Sequence, residues 1–285
     1  MRTIAHISDL HFGRIDPPVA QGLIEDLQRH SPTLLVVSGD FTQRARVSQY
    51  REAAQYLTRL PTPQLVVPGN HDVPLWNLIR RFYFPFTRYQ SFISDNFSPE
   101  YEDDRLLVLG VNTARSFTRT SGWLESDQLA YLRKRTANVS PEVMKVLVTH
   151  HPFLAPPRKP DADVLLGAER VLPELEACGF DVLLAGHLHL AYHDDVLSAY
   201  SSARRSVLSI QAGTATSTRR RGEPNAYNWI TLSRDLVTVA VRAWNGSAFE
   251  ESLVTRYECV DGAWVRLTQV PVDRMAVEAL ENRAE

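Results

Sequence analysis

Aspartate, asparagine and histidine are gathered into five short runs in this chain: Ser8-Asp9-Leu10-His11, Gly39-Asp40, Gly69-Asn70-His71-Asp72, His150-His151-Pro152 and Gly186-His187-Leu188-His189. Six of the nine histidines lie in them. A lone Asp or His at a strand end is ordinarily a hydrogen-bonded surface residue, so the case rests on the five runs together. Carboxylate oxygens, imidazole nitrogens and an amide oxygen jointly suit divalent ions of intermediate hardness, such as Mn, Fe, Zn or Ni. Asp9 and His11 stand two residues apart, as do His187 and His189. Just past a strand end, side chains so spaced turn to the same side and chelate one ion. Gly39, Gly69 and Gly186 are expected to let the backbone turn sharply, so that each ligand faces inward.

Runs so far apart need a framework that brings their tips together. Apolar runs at residues 3–8, 33–38, 64–67, 106–111, 143–149 and 181–185 read as strands. The run 33–38 is continuously apolar up to its last residue, as expected of a strand covered on both faces. Helical patterns at 19–30, 47–60, 125–135 and 168–177 alternate with these strands. Such alternation predicts a layered α/β domain. Each of the five runs then falls at the C-terminal end of a strand, the edge of the sheet where ligands bind in such proteins.

From residue 191 to 269 the pattern changes to short strand-like runs at 206–211, 229–232, 236–243 and 252–259. They read as a meander that adds strands to a second sheet. Asp261-Gly262 is a hairpin turn signal between 257–260 and 264–267. A short helix is expected near 275–282. Residues 74–101 hold Trp76, Phe82, Tyr83, Phe84, Phe86, Tyr89, Phe92, Phe97 and Tyr101. Two helical pieces interrupted by Pro85 fit this insertion, as an ordinary packed hairpin before a substrate-facing lid.

Composition bounds the rest. A chain of 285 residues with 44% apolar content supports one large globular domain. The net charge of −2, from 31 basic and 33 acidic residues, provides no global attraction to nucleic acid or membrane. No apolar run approaches the ~20 residues of a bilayer span, and the N-terminus does not read as a signal peptide. Cys178 and Cys259 read as free thiols, which points to a reducing, cytoplasmic setting.

The five runs, in order from Asp9 to His189, resemble the calcineurin-like metallophosphoesterase superfamily, whose pattern is D-x-H, G-D, G-N-H-[DE], H and G-H-x-H. The resemblance implies a four-layer αββα sandwich of two mixed sheets. Residues 1–270 would form the metallophosphoesterase domain, with the small helical insertion at about 74–101, and 271–285 a C-terminal helix or tail. It implies a binuclear site in which Asp9, His11, Asp40 and His189 hold one divalent ion. Asp40 bridges to a second ion, completed by Asn70, His150 and His187. His150 is the expected ligand of its pair, with His151 lining the pocket. Two cations sharing a water sharpen it into a nucleophile near neutral pH. His71 resembles the family's catalytic histidine, and Asp72 would orient it.

Within the superfamily the runs look most like class III cyclic nucleotide phosphodiesterases, which implies hydrolysis of phosphodiesters, cyclic nucleotides among them. Protein Ser/Thr phosphatases carry G-D-x-V-D-R-G and G-N-H-E, whereas this chain has Gly39-Asp40-Phe41-Thr42-Gln43-Arg44 and Asp72. UDP-diacylglucosamine hydrolases typically have Arg where His71 stands. Superfamily nucleases fit Thr42 and Gln43 poorly, and the balanced charge shows no nucleic-acid footprint. A phosphomonoesterase or nuclease of the same superfamily is the alternative, and a non-catalytic scaffold a distant one. The expected partner is a small phosphate ester; a homodimer stays open.

Other polar residues carry weaker expectations. Arg219-Arg220-Arg221 reads first as a solvated loop and second as a phosphate-steering loop. Gly213-Thr214-Ala215-Thr216 before it, and Asn112 and Arg115, are minor candidates for the site. His6, His30 and His193 read as structural.

Overall fold

The computed structural model describes residues 1–271. The chain opens with β1 (Arg2–Ile7), α1 (Pro17–His30), β2 (Leu34–Val37), α2 (Val47–Leu57) and β3 (Gln64–Val66). The insertion follows as α3 (Leu78–Tyr83) and α4 (Thr87–Phe92), with Pro85 between them, and leads into β4 (Glu100–Glu102) and β5 (Leu106–Gly110). Next come α5 (Ser126–Thr136), β6 (Met144–Val148), α6 (Ala168–Ala177), β7 (Val182–Ala185), β8 (Tyr192–Asp195) and β9 (Leu208–Gln211). A meander of β10 (Ala226–Leu232), β11 (Leu236–Trp244), β12 (Phe249–Val260) and β13 (Ala263–Pro271) ends the described chain. The helix expected near 275–282 lies outside the described residues.

One sheet has seven strands in the order β13-β12-β11-β10-β1-β2-β3, the other six in the order β4-β5-β6-β7-β9-β8. β1, β2 and β3 run parallel, as do β5, β6, β7 and β9. Alternation along β1 shows why two sheets stack. Ile4 faces the layer between the sheets, with Leu34, Val36, Val108, Val146 and Leu184. Ala5 and Ile7 face outward onto α1 and α2, against Leu23, Leu27 and Ala53. α5 and α6 cover the far side of the second sheet through Leu132, Leu172 and Leu175. The result is the αββα sandwich.

The strands expected between residues 206 and 259 divide between the sheets. β9 joins the second sheet beside β7, as expected, whereas the meander extends the sheet of β1: β10 pairs antiparallel with β1, Ile4 opposite Ile230. The reason lies in the two faces of β10. Ile230 and Leu232 belong to the layer between the sheets, while Tyr227 belongs to the outer layer with α1. A strand apolar on both faces is buried best beside a central strand. Asp261 and Gly262 both have positive φ, as a two-residue type I′ hairpin requires. β4 and β8 carry Glu-Tyr-Glu and Tyr-His-Asp-Asp, and sit at the edges of their sheet, where charged residues are tolerated.

A buried ion pair ties α1 to the meander. Asp26, 2% exposed, accepts from Arg242 Nε at 2.8 Å, Arg242 Nη2 at 2.9 Å and the Tyr227 hydroxyl at 2.6 Å. Asp26→Ala leaves the Arg242 guanidinium buried without its carboxylate. We expect a loss of about 3–5 kcal/mol in unfolding free energy by urea titration, against well under 1 kcal/mol for an exposed pair such as Arg133–Glu174.

Candidate metal centre

The five runs converge. Ser8–His11 follows β1, Gly39-Asp40 follows β2 and Gly69–Asp72 follows β3. His150-His151 follows β6 and His187–His189 follows β7. Asp9, His11, Asp40, His187 and His189 all have left-handed backbones, with φ between 49° and 73°. For residues with a Cβ this conformation is strained, and such strain concentrates at functional sites. It reverses the chain so that alternate side chains point into one crevice.

The glycines work differently from expectation. Only Gly39 of the three has positive φ, at 99°. Gly69 and Gly186 are needed for close approach instead. A Cβ on Gly69 would lie 2.2 Å from Asp40 Oδ1, and one on Gly186 1.8 Å from Ser8 Oγ.

The donor atoms form two groups around Asp40. In the first, His11 Nε2 and His189 Nε2 are 3.4 Å apart. Asp9 Oδ1 lies 3.5 Å from the former and 3.6 Å from the latter. Ligands held about 2.1 Å from one cation are separated by such distances. In the second, Asn70 Oδ1 is 3.0 Å from His150 Nε2 and 3.0 Å from His187 Nδ1. Asp40 stands between: Oδ2 is 3.7 Å from His11 Nε2, and Oδ1 is 3.4 Å from His150 Nε2. His151 lies next to the second group, with Nδ1 2.8 Å from Thr113 Oγ1.

Hydrogen-bond bookkeeping shows that this set fits cations. His150 Nδ1 is 2.7 Å from the Ser38 carbonyl, which can only accept, so Nδ1 carries the proton and Nε2 a lone pair. Asn70 Nδ2 donates to the Arg119 carbonyl at 2.9 Å, which turns its oxygen inward. Two lone pairs therefore face each other at 3.0 Å, an arrangement that a cation between them relieves. His189 Nδ1 is engaged by Thr214 Oγ1 at 2.6 Å, leaving Nε2 for the crevice. Asp9 Oδ1 is buried with no hydrogen-bond partner among the described residues.

Electrostatics agree at His187, His189 and Asp9, while at His150 burial is outweighed by the facing Asp40 and Asp9 carboxylates, which raise the imidazole above its ordinary range. Burial lowers His187 to about 3 and His189 to about 4, so both imidazoles are neutral near neutral pH and keep a free lone pair. Burial opposes the Asp9 charge, but the imidazoles of His189, His11 and His150 outweigh it and hold the carboxyl well below its ordinary range.

His71 sits at the rim, with its ring centroid 4.9 Å from that of His11. Its Nδ1 donates to the Gln43 carbonyl at 2.9 Å, and Nε2 meets Arg219 Nη1 at 2.9 Å. The expectation that Asp72 orients His71 is corrected here. Asp72 instead accepts from the backbone N–H of Phe41, Thr42 and Gly69 at 2.9–3.2 Å and from Thr42 Oγ1 at 3.1 Å. A carboxylate so occupied clamps the loops after β2 and β3 together, while a backbone carbonyl sets the imidazole. Burial and the neighbouring Asp40 charge push Asp72 up to about 7, against the pull of its backbone donors.

The basic run divides by residue. Arg219 is half-buried and touches His71, whereas Arg220 is exposed and pairs with Asp16 at 3.6 Å. Arg221 lines a cavity of about 780 Å³ with Arg158, Lys159, Tyr192 and Glu223. Gln43 and Thr214 orient site histidines through local contacts that no spacing rule reveals. Asn112 and Arg115 serve their own loop and α5: Arg115 Nη2 donates to Gln128 Oε1 at 2.7 Å. His6, lowered to about 3 by burial, bonds Ser38 Oγ at 2.9 Å, and His193 bonds the Tyr257 hydroxyl at 2.7 Å.

The chain is similar to known proteins. A family model described as calcineurin-like phosphoesterase matches residues 2–191. The protein named "Probable cyclic nucleotide phosphodiesterase" from Synechococcus sp. is 28% identical over 203 residues, 67% of this chain and 74% of that protein. The glycerophosphodiester phosphodiesterase GpdQ of Enterobacter lignolyticus is 28% identical over 162 residues, 53% of this chain and 57% of that protein. In fold, the purple acid phosphatase PPD1 of yellow lupin superposes with a TM-score of 0.67 at 11% identity, over 88% of this chain and 52% of that one. A dimetal phosphatase from Danio rerio does so with a TM-score of 0.63 at 14% identity, over 85% and 96%. With the family pattern matched across two-thirds of its length and the sandwich built around it, the chain belongs to the calcineurin-like phosphoesterase family.

Proposed function

We propose that this protein hydrolyses phosphodiesters at a pair of divalent ions held by Asp9, His11, Asp40 and His189 on one side and Asn70, His150 and His187 on the other. Asp40 is the shared ligand. The observation that carries the reading is the pairing of inward lone pairs around Asp40, with His71 and Arg219 beside them. The two relatives in sequence support a diester over a monoester, because both carry phosphodiesterase names. When bound, such ions supply Lewis-acid activation of water and neutralise phosphate charge.

The chain's own residues do the rest. The Gln43 carbonyl aims His71 Nε2 at the mouth of the crevice. Burial holds His71 below its ordinary range, and the negative charge of an arriving phosphate opposes this and favours the imidazolium form, from which Nε2 donates to the departing ester oxygen. The Arg219 guanidinium, released from Nε2, takes a non-bridging phosphate oxygen. Arg219→Ala should lower kcat/KM by about 100-fold with metal content unchanged, measured by steady-state kinetics and elemental analysis. Lysine at that position should restore only part, since it lacks the planar fork.

The function is tested with Mn-loaded protein against bis-p-nitrophenyl phosphate, cyclic nucleotides and p-nitrophenyl phosphate. Faster turnover of the diesters is expected. A preference for the monoester refutes the diesterase reading, and two bound ions without turnover of any ester returns the chain to a scaffold.

A further inference from the structure

The insertion leaves a surface that neither the core nor the metal centre uses. α4 packs inward: Tyr89 is buried, and Phe86, Phe92 and Phe97 lie against the outer core. α3 and its flanks do the opposite. Trp76, Leu78, Ile79, Phe82, Tyr83 and Phe84 are 45–79% exposed, and Phe117, from the loop after β5, is 81% exposed. The rings of Phe82 and Phe117 are 5.5 Å apart, so the two segments form one patch. Contiguous apolar surface on this scale marks a contact site.

The patch is fixed in place and borders the metal centre. Buried Arg81 bonds the Pro74 carbonyl at 3.1 Å and the Thr118 carbonyl, tying α3 to the Phe117 loop. The next residue of that loop, Arg119, accepts the amide proton of Asn70 at 2.9 Å. Charge on the patch has one sign. Residues 73–94 contain Arg80, Arg81 and Arg88 and no Asp or Glu, and residues 106–124 contain Arg115 and Arg119 and none. Arg80 and Arg119 are exposed. A two-fold contact with a second copy brings like arginines together. An anionic lipid surface matches both features: aromatic and aliphatic side chains enter the headgroup boundary, and arginines meet the phosphates.

We propose that residues 74–84 and Phe117 dock this protein on an anionic lipid surface, which brings its metal centre to phosphodiesters of lipid headgroups. The substrate half rests on the phosphodiesterase reading. In it water adds to phosphorus, one phosphorus–oxygen ester bond breaks, the departing oxygen leaves as an alcohol with a proton, and a phosphomonoester remains.

The experiment is co-sedimentation of the Mn-loaded full chain with vesicles of phosphatidylcholine alone, or mixed with phosphatidylglycerol. Binding to the mixed vesicles is expected, with a blue shift of tryptophan fluorescence. Binding should fall about 10-fold or more in the combined variant Trp76→Ser, Ile79→Ser, Phe82→Ser, while turnover of soluble bis-p-nitrophenyl phosphate is retained and circular dichroism is unchanged. Cleavage of vesicle phosphatidylglycerol should fall with binding. Absence of sedimentation with the mixed vesicles, or equal sedimentation of the variant, overturns the proposal. So does a wild-type dimer that the variant converts to monomer without lipid binding. Vesicle binding that the variant loses, with no phosphodiester cleaved by wild type, upholds the docking surface and overturns the catalytic reading instead.

Discussion

Asp40→Ala is expected to release both divalent ions and to lower phosphodiester turnover by more than about 10⁴-fold, since catalysis by enzymes of this kind exceeds about 10⁶-fold in total. Asp40 is 1% exposed and has one oxygen turned to each donor group, Oδ2 to His11 and Oδ1 to His150. Without it, the first group keeps only the Asp9 carboxylate and the second only neutral donors, so each meets a dication with less compensating charge. The imidazoles of His11 and His150 also lose the carboxylate they face. The same Oδ1 accepts the backbone N–H of His71 at 2.8 Å, so the loop after β3 loosens as well. Elemental analysis of Mn-reconstituted protein reads the metal content. Thermal melts with and without Mn provide a second reading, because a ligand bound only by the native state raises its melting temperature. Wild type should gain from Mn and the variant should not. Two ions retained by the variant sink the bridging assignment. Loss of a single ion would move that role to Asp9, which shares a donor group with Asp40 and His150.

His71→Ala should behave in the opposite way: both ions stay and turnover falls by about 10³-fold. His71 lies outside every potential ligand group among the described residues, and its two ring nitrogens are spoken for by Gln43 and Arg219. If it protonates the departing oxygen, the loss depends on the leaving group. An alkyl diester, whose alkoxide needs a proton, should suffer more than bis-p-nitrophenyl phosphate, whose phenolate leaves unaided. A uniform loss across leaving groups would assign His71 to charge stabilisation alone. Loss of metal in this variant would contradict its placement altogether.

Both variants depend on a site whose members were legible in the sequence. The motif chemistry pointed to the residues that converge, and the apolar runs located most of the strands that deliver them. β4 and β8 escaped because they are short, polar edge strands whose residues carry no alternating apolar signal. The sheet joined by the meander escaped because pairing is a long-range choice. Residues 229–232 read as a strand from their own sequence, but the neighbour β1 lies more than two hundred positions away.

The insertion divides in the same way. Its aromatic content announced two helical pieces about Pro85, and both the packed hairpin and the exposed face exist within it. Which rings turn inward depends on what lies beneath: the outer core lies under α4, whereas α3 is held through buried Arg81 and leaves its rings exposed.

The sequence by itself determined which Asp, Asn and His residues stand at the strand ends, because that chemistry belongs to residue types and their local spacing. Tertiary structure alone decided which atom of each donor faces the crevice. The Ser38 carbonyl chooses the nitrogen of His150, the Arg119 carbonyl turns the amide of Asn70, and Thr214 frees Nε2 of His189. It also moved Asp72 from the imidazole to the backbone of two loops, and set Arg219 rather than its neighbours beside His71. Those partners come from distant strands and loops, and hydrogen bonds between them exist only once the sheets have stacked.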